Sequence, residues 1–499
     1  MSDRRAAVRD NARYLRNVRP IDPEEICAYV ESQPHPAVVR QIIREEAYDL
    51  GLVERDDGSF VPVDDSPVPT RSSPVREFPE RFARELEDLL VDRYGPTWYE
   101  DASGDLLRST IRRMKARYLK GAPVNYDTDV AAGYALYHLP GYYAAVQYAL
   151  DDLAEGELVG RRLRVLDVGA GVGGPALGLT EYLPEDVLVD YHAVEPSEAA
   201  DVLEMLLQGT GRNVHATVHR TTAESFDPAE VGQDGSEPET VNGEGDRFDL
   251  ILCCNVLSEL DEPEAVLRRY LDALAPDGSL LAIAPADKQT SIGLRELERR
   301  VETRGGGDTA GTGPDEVTVY GPAVRLWPGE APSDRGWTFD VRPDLSVPSF
   351  QRRLDEAATD PEHEPGEFVN VDVQFSYSIL RRDGQRRVEL DLDADRWAKM
   401  AEMDRHVTNR IDLIAAKLSR SLSERQDGGG SNPLFKVSDG SEAVDHYAVL
   451  TAETSLNRTL LEADYGDVLA FESILALWND DEGAYNLVVD EETIVDPVA

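Results

Sequence analysis

Residues 163 to 173 read Leu-Arg-Val-Leu-Asp-Val-Gly-Ala-Gly-Val-Gly, a short apolar strand that runs into a glycine turn with an acid just ahead of it. Glycines this dense allow backbone of positive φ and a close approach to a ligand, so the stretch commits the chain to a strand, turn and helix of an α/β fold. The spacing alone leaves the ligand open. Gly169, Gly171 and Gly174 satisfy the G-x-G-x-x-G pattern of dinucleotide sites, and Gly169, Gly171 and Gly173 satisfy a tighter G-x-G-x-G pattern equally well.

Asp167 decides between them. A carboxylate two residues before the first glycine would repel a pyrophosphate, whereas S-adenosylmethionine brings no phosphate and a cationic methionyl end. The turn, Asp167, Gly169, Ala170, Gly171 and Gly173, is therefore expected to hold S-adenosylmethionine. A second buried strand, Val187 to Val194, ends in Glu195-Pro196-Ser197, where Glu195 can accept hydrogen bonds from both ribose hydroxyls. A third, Asn213 to Arg220, runs into Thr222-Ala223-Glu224, which either reaches the adenine amino group or is a solvated loop. A fourth, Phe248 to Cys254, closes on Asn255 and Val256, which with Pro196, Ala223 and Glu224 are expected to complete the cofactor site, and a fifth covers Ser279 to Ala284. Strands alternating with helical segments predict a parallel, Rossmann-like sheet with its ligand at the strand carboxyl ends. Over residues 160 to 285 the pattern resembles the class I S-adenosylmethionine methyltransferases.

At 499 residues, two to four domains are expected. Aspartate and glutamate number 96 against 51 basic residues, for a formal net charge of -45, and lysine occurs only at positions 115, 120, 288, 399, 417 and 436. Such acidity resembles cytosolic proteins of salt-loving microbes, where self-repulsion is screened to within about 3 Å in molar salt. Charge then says little about partners, because salt also suppresses counterion release on phosphate binding. Cys27, Cys253 and Cys254 supply no disulfide framework. With no apolar targeting segment or bilayer-spanning run, a cytoplasmic, soluble protein is expected.

Residues 1 to 65 are expected to form a winged-helix-like module serving nucleic acid, dimerisation or packing; the oligomeric state is open. Residues 80 to 153 read as helical, and Arg108, Arg112, Arg113, Lys115, Arg117 and Lys120 make the densest basic stripe, joined by Arg5, Arg9, Arg13 and Arg16. The stripe either meets RNA phosphates or pairs with nearby acids. Residues 154 to 395 form the expected methyltransferase domain, with insertions at Gly232 to Asp246 and Arg304 to Asp315. A β-hairpin is expected where Phe368 to Arg382 and Arg387 to Leu392 flank Asp383-Gly384. A helix from Trp397 to Leu422, within a 396 to 426 segment, precedes a linker at Asp427 to Pro433. Residues 434 to 499 read as a small β-rich domain, either a barrel of oligonucleotide-binding type or a packing appendage.

Pro140, Tyr142 to Ala145, Asp167 to Gly173, Glu195-Pro196-Ser197, Val256-Leu257-Ser258-Glu259-Leu260, Tyr320-Gly321-Pro322 and Phe375-Ser376-Tyr377 resemble the methyltransferase-like assembly factors of the mitochondrial small ribosomal subunit and their prokaryotic relatives. The resemblance implies small-subunit rRNA or the subunit itself as partner. It also implies cluster cysteines after the Tyr-Gly-Pro element, where this chain has Ala323, Val324 and Arg325, so no metal is expected.

No acceptor motif marks the methylated atom. The fourth strand lacks an Asn-Pro-Pro-aromatic clamp, Cys254 reads as core more readily than as a nucleophile, and Asn255, Ser258, Glu259 and His138 are candidates without an assigned catalytic role. Three functions follow: an rRNA methyltransferase, a non-catalytic cofactor-binding ribosome-assembly factor, and a small-molecule O- or N-methyltransferase with a dimerisation wing.

Overall fold

The computed structural model describes residues 2–118, 124–231, 247–302, 317–327, 329–390, 392–423 and 432–498. Lys120, both insertions and most of the 427 to 433 linker lie outside them. The chain divides into two compact units, Met1–Cys254 with Ala273–Gly278 and Pro343–Val373, and Asn255–Asp272 with Ser279–Arg342 and Gln374–Ala499.

The first unit opens with α1 (Ser2–Leu15), α2 (Pro23–Tyr29), α3 (Pro36–Glu45), α4 (Ala47–Leu50) and the antiparallel hairpin of β1 (Leu52–Glu54) and β2 (Phe60–Pro62). Val8, Ile26, Ile43, Leu50 and Phe60 form its small core. The wing turns inward: the Glu54 N–H donates to Asn213 Oδ1 at 2.7 Å, and Asn213 Nδ2 donates to the Glu54 carbonyl at 3.1 Å. Arg5 and Arg9 of α1 pair with Glu46, and Arg16, just past the helix, donates to the Leu50 carbonyl, so these arginines bind the module to itself.

Three long helices follow, α5 (Glu80–Tyr94), α6 (Asp101–Tyr118) and α7 (Thr128–Glu155). The sheet comprises β3 (Arg162–Val168), then after α8 (Gly174–Tyr182) β4 (Leu188–Val194), after α9 (Ala199–Leu207) β5 (Val214–His219), and β6 (Phe248–Cys254). These four strands run parallel in the order β5-β4-β3-β6. β3, β4 and β6 are almost wholly buried, as parallel strands covered on both faces are, while the edge strand β5 is partly exposed. At the sheet's amino end the Arg164 N–H donates to Asp249 at 2.7 Å, which fixes where β6 begins.

In the second unit, after α10 (Pro263–Asp272), β7 (Leu274–Pro285) leads into α11 (Lys288–Val301), β8 (Thr318–Gly321), β9 (Asp340–Arg342) and β10 (Val373–Arg381). β10 pairs antiparallel with β7, from Phe375 opposite Pro285 to Arg381 opposite Ser279, and with β8 on its other side. The hairpin expected across Asp383-Gly384 therefore does not form. Both edges of β10 are already filled, Asp383 is held by Arg381 and the Gln385 N–H, and the Arg387 N–H donates to Tyr320 instead.

The helix expected from Trp397 to Leu422 is also absent. Only Met400–His406 is helical, as a short 3-10 run, and Arg410–Lys417 is the strand β11. With β12 (Leu434–Ser438), β13 (His446–Leu450), β14 (Val468–Asn479) and β15 (Ala484–Val489) it closes a five-stranded barrel in the order β11-β12-β13-β15-β14, sealed by β11 against β14. β13 and β15 are parallel, and β16 (Ile494–Pro497) joins β14. This is the closed Greek-key arrangement of oligonucleotide-binding barrels. Leu413, Phe435, Phe471, Ile474 and Leu487 fill it, each contributing about 1.5–3 kcal/mol by burial.

A buried polar network lies behind the barrel. Arg295 sits 3.1 Å from Glu298 and 3.5 Å from Asp334, and the Tyr465 hydroxyl donates to Asp334. Trp327 Nε1 donates to Asp439 at 2.8 Å. Among the described residues no helix is long and apolar enough to cross a membrane.

Candidate cofactor site

Past Val168 the chain turns through Gly169, Gly171 and Gly173, with φ of 69°, 54° and 95°, before α8 starts. The Gly169 and Ala170 N–H groups both donate to the Val194 carbonyl, at 2.9 and 3.1 Å, which ties the turn to the end of β4. Glu195, the next residue, closes the junction. Its Oε2 accepts from the Gly171 N–H and its Oε1 from the Ser197 N–H, both at 2.9 Å, so the carboxylate is oriented before any ligand arrives.

The glycines do two different jobs. A Cβ on Gly171 would meet nothing within 4 Å, so the backbone there faces open space. One on Gly174 would lie 2.8 Å from Tyr142 Cβ, and one on Gly178 2.4 Å from the Tyr143 carbonyl oxygen, so these two let α8 pack directly on α7. Gly178 carried no signal beyond being a glycine in a helix.

Asp167 is fully buried near the end of β3. Its Oδ2 accepts from the Tyr191 hydroxyl at 2.5 Å, while Oδ1 is buried with no partner among the described residues. Burial pushes its carboxyl up to about 7; the Tyr191 hydrogen bond opposes the rise and the Glu195 charge adds to it. A buried acceptor without a donor costs about 1–3 kcal/mol, which a ligand bringing a cationic or hydroxyl donor would recover. The turn thus fits a cofactor with a positive end and no phosphate.

The remaining expected residues fall at the other strand ends. Pro196 is exposed beside Glu195, while past β5 Ala223 is buried and Glu224 exposed. Asn255 and Val256 follow Cys254 directly and are half-buried. Cys253 and Cys254 are core: burial, with Asp167 nearby, pushes both thiols well up and keeps them protonated. Ser258 and Glu259 are exposed around a 3-10 turn. Among the described residues no group of three or more His, Cys, Asp or Glu is placed to hold a metal.

Sequence reasoning missed Tyr191 and Tyr134, and named His138 and Tyr142 without showing that they share one face of α7. Tyr134, His138 and Tyr142 recur every fourth residue, with His138 and Tyr142 stacked 5.3 Å apart at 6° and Tyr134 4.8 Å from His138. Tyr142 is the residue against Gly174, which places His138 one turn from the glycine loop. Burial, reinforced by Lys115, lowers the imidazole to about 4, so it is neutral at pH 7 and only weakly basic.

Residues 166–280 match a family described as a methyltransferase domain. Residues 5–56 and 401–498 match the N-terminal and C-terminal domains of one family described as a domain of unknown function, DUF8157. No curated protein matches the chain. Among solved structures it is similar to the plantazolicin methyltransferase BpumL in complex with SAH, at 15% identity over 44% of this chain and 64% of that chain, with a TM-score of 0.23. A SAM dependent methyltransferase from Aquifex aeolicus gives 18% identity over 26% and 59%, with a TM-score of 0.19. The mitomycin 7-O-methyltransferase MmcR gives 17% over 57% and 75%, with a TM-score of 0.21. Residues 166–280 are a class I methyltransferase domain, and its methyl donor is S-adenosylmethionine.

Proposed function

We propose that the chain methylates a small nucleophilic acceptor. The observation that carries this reading is the state of the α6 stripe. Arg108 is buried and donates to the carbonyls of Tyr99 and Leu354 and to Asp105, at 2.9, 3.1 and 2.8 Å. Arg112 forks onto Glu367 at 2.6 and 2.7 Å and reaches Asp360 at 2.7 Å, while Lys115 donates to the Glu367 carbonyl at 3.0 Å. Cations held this way are withdrawn from RNA phosphates, whose neutralisation supplies most nucleic-acid affinity. An Arg112→Ala variant is expected to lose about 1 kcal/mol or less of stability, since its ion pairs are partly exposed, and to leave retention on RNA unchanged; a heat-denaturation curve and a filter-binding assay check both.

Asp167, Glu195 and the open backbone at Gly171 would hold S-adenosylmethionine, which when bound supplies an electrophilic methyl on a positively charged sulfur. The protein's remaining task is to position the acceptor and take its proton, and His138, stacked on the tyrosine that packs against Gly174, is a neutral group on that side of the turn.

The barrel favours a second reading, in which the chain acts on small-subunit rRNA or serves ribosome assembly without turnover, as the ribosomal resemblance implies. Incubating the full chain and radiolabelled S-adenosylmethionine in molar KCl, with a cell's small-molecule fraction or with small ribosomal subunits, separates the readings. Label is expected in the small-molecule fraction. Label in rRNA alone would overturn the proposal in favour of an rRNA methyltransferase, and cofactor binding without any transfer would favour the assembly role.

A further inference from the structure

The second unit contains a cavity of about 660 Å³ that begins at Asn255, the first residue past β6, and lies between the Leu257–Leu260 turn, the end of β7 and the start of α11. Its volume falls within the usual 300–1,000 Å³ of small-molecule sites. Leu257, Leu260, Ile283 and Leu297 supply apolar walls.

Two polar groups that line it have no protein partner among the described residues. Asn255 has a left-handed φ of 60°, fixed by its N–H donating to the Ile283 carbonyl at 2.8 Å, and its Oδ1 is buried with no donor among the described residues. Asparagine is among the few side chains that tolerate this backbone, and an acceptor oxygen left dry at a cavity's depth asks for an O–H or N–H from a ligand. Lys288 is the second. Lys399 pairs with Glu330, Lys436 with Asp445, and Lys115 and Lys417 donate to backbone carbonyls, whereas Lys288, exposed at the cavity's rim, has no partner among the described residues. The other cation lining the cavity, Arg300, is already held by Glu264 and Glu296. In a chain of net charge -45, a lysine with no protein acceptor among the described residues is the feature to explain.

From this geometry we infer that the cavity is a binding site for an apolar carboxylate bearing a hydroxyl or amine, with the carboxylate at Lys288 and the O–H or N–H donated to Asn255 Oδ1. The inference rests on the proposed methyl transfer to a small acceptor and names the acceptor's class. The strand carboxyl edge, where Asn255 stands, is where α/β sheets bind their ligands.

Fluorescence titration of the full chain with 6-hydroxy-2-naphthoate, 2-naphthoate and 2-naphthol tests it, with binding of S-adenosylhomocysteine measured in parallel. The hydroxynaphthoate is expected to bind best, with each singly stripped analogue weaker by about tenfold. Lys288→Met is expected to weaken both carboxylates about tenfold and leave 2-naphthol unchanged. Leu260→Trp is expected to block all three, with S-adenosylhomocysteine affinity kept in both variants. Equal binding of the three probes, no binding of any, or indifference to Lys288→Met would overturn the inference. Failure of S-adenosylhomocysteine to bind while the probes follow the expected order would instead remove the cofactor reading and leave the carboxylate site standing.

Discussion

Gly178→Ala is expected to destabilise the first unit strongly, whereas Gly171→Ala leaves its stability nearly unchanged and removes cofactor binding. The new methyl at 178 would stand 2.3 Å from Val146 Cγ1 and 2.4 Å from the Tyr143 carbonyl oxygen. A backbone carbonyl cannot rotate away as a side-chain end can, so α8 must lift from α7. We expect a loss of more than about 3 kcal/mol, a large share of the 5–15 kcal/mol typical of whole domains. At Gly171 the methyl enters open space, and only the φ of 54° is strained, at about 1 kcal/mol. Thermal melting and limited proteolysis of the two variants separate them, and equal melting temperatures would refute the packing role of Gly178.

Asp167→Asn is expected to raise the stability of the ligand-free protein at pH 8 while weakening S-adenosylmethionine binding by about 100-fold. The folded protein holds this proton up to about pH 7, whereas the unfolded chain releases it near the ordinary 3.8. Between these values the folded state binds more protons, so stability falls as pH rises from about 4 to 7 and stays reduced above. At 1.36 kcal/mol per unit the ceiling is about 4 kcal/mol, which asparagine, carrying no charge, escapes. The variant should therefore match its parent near pH 4 and exceed it at pH 8. In the parent, cofactor affinity should rise about tenfold per pH unit up to pH 7, because the cationic end needs the ionised carboxylate. A calorimetric titration across pH 5 to 9 checks this, and a flat affinity profile would remove Asp167 from the site.

The strand, turn and helix around Asp167 were legible because their signal is local: apolar run, acid and glycines lie within a dozen residues. Tyr191 was not, since its hydroxyl reaches Asp167 only through the register that sets Tyr191 beside Val165. The α6 stripe looked available to phosphate because the acids that hold Arg112 lie 248 and 255 residues further along the chain. Residues 397 to 422 misled for another reason. Their apolar residues suit a helix or a strand, and pairing of β11 with β12 and β14 decides for strand. The barrel's own alternation from Leu434 onward was readable, but its first strand lay hidden in that ambiguous run.

The Arg295, Asp334 and Tyr465 network makes the barrel indispensable to its neighbours. A chain cut before Arg410 would strip Asp334 and Thr338 of the Tyr465 hydroxyl and Trp327 of Asp439, and would bare apolar surface on the remainder of the second unit. The boundary of the 401–498 family match is thus a seam in the sequence and not a place where the folded protein can be divided. Losing the barrel gene segment in evolution would require repairing that interior in the same step.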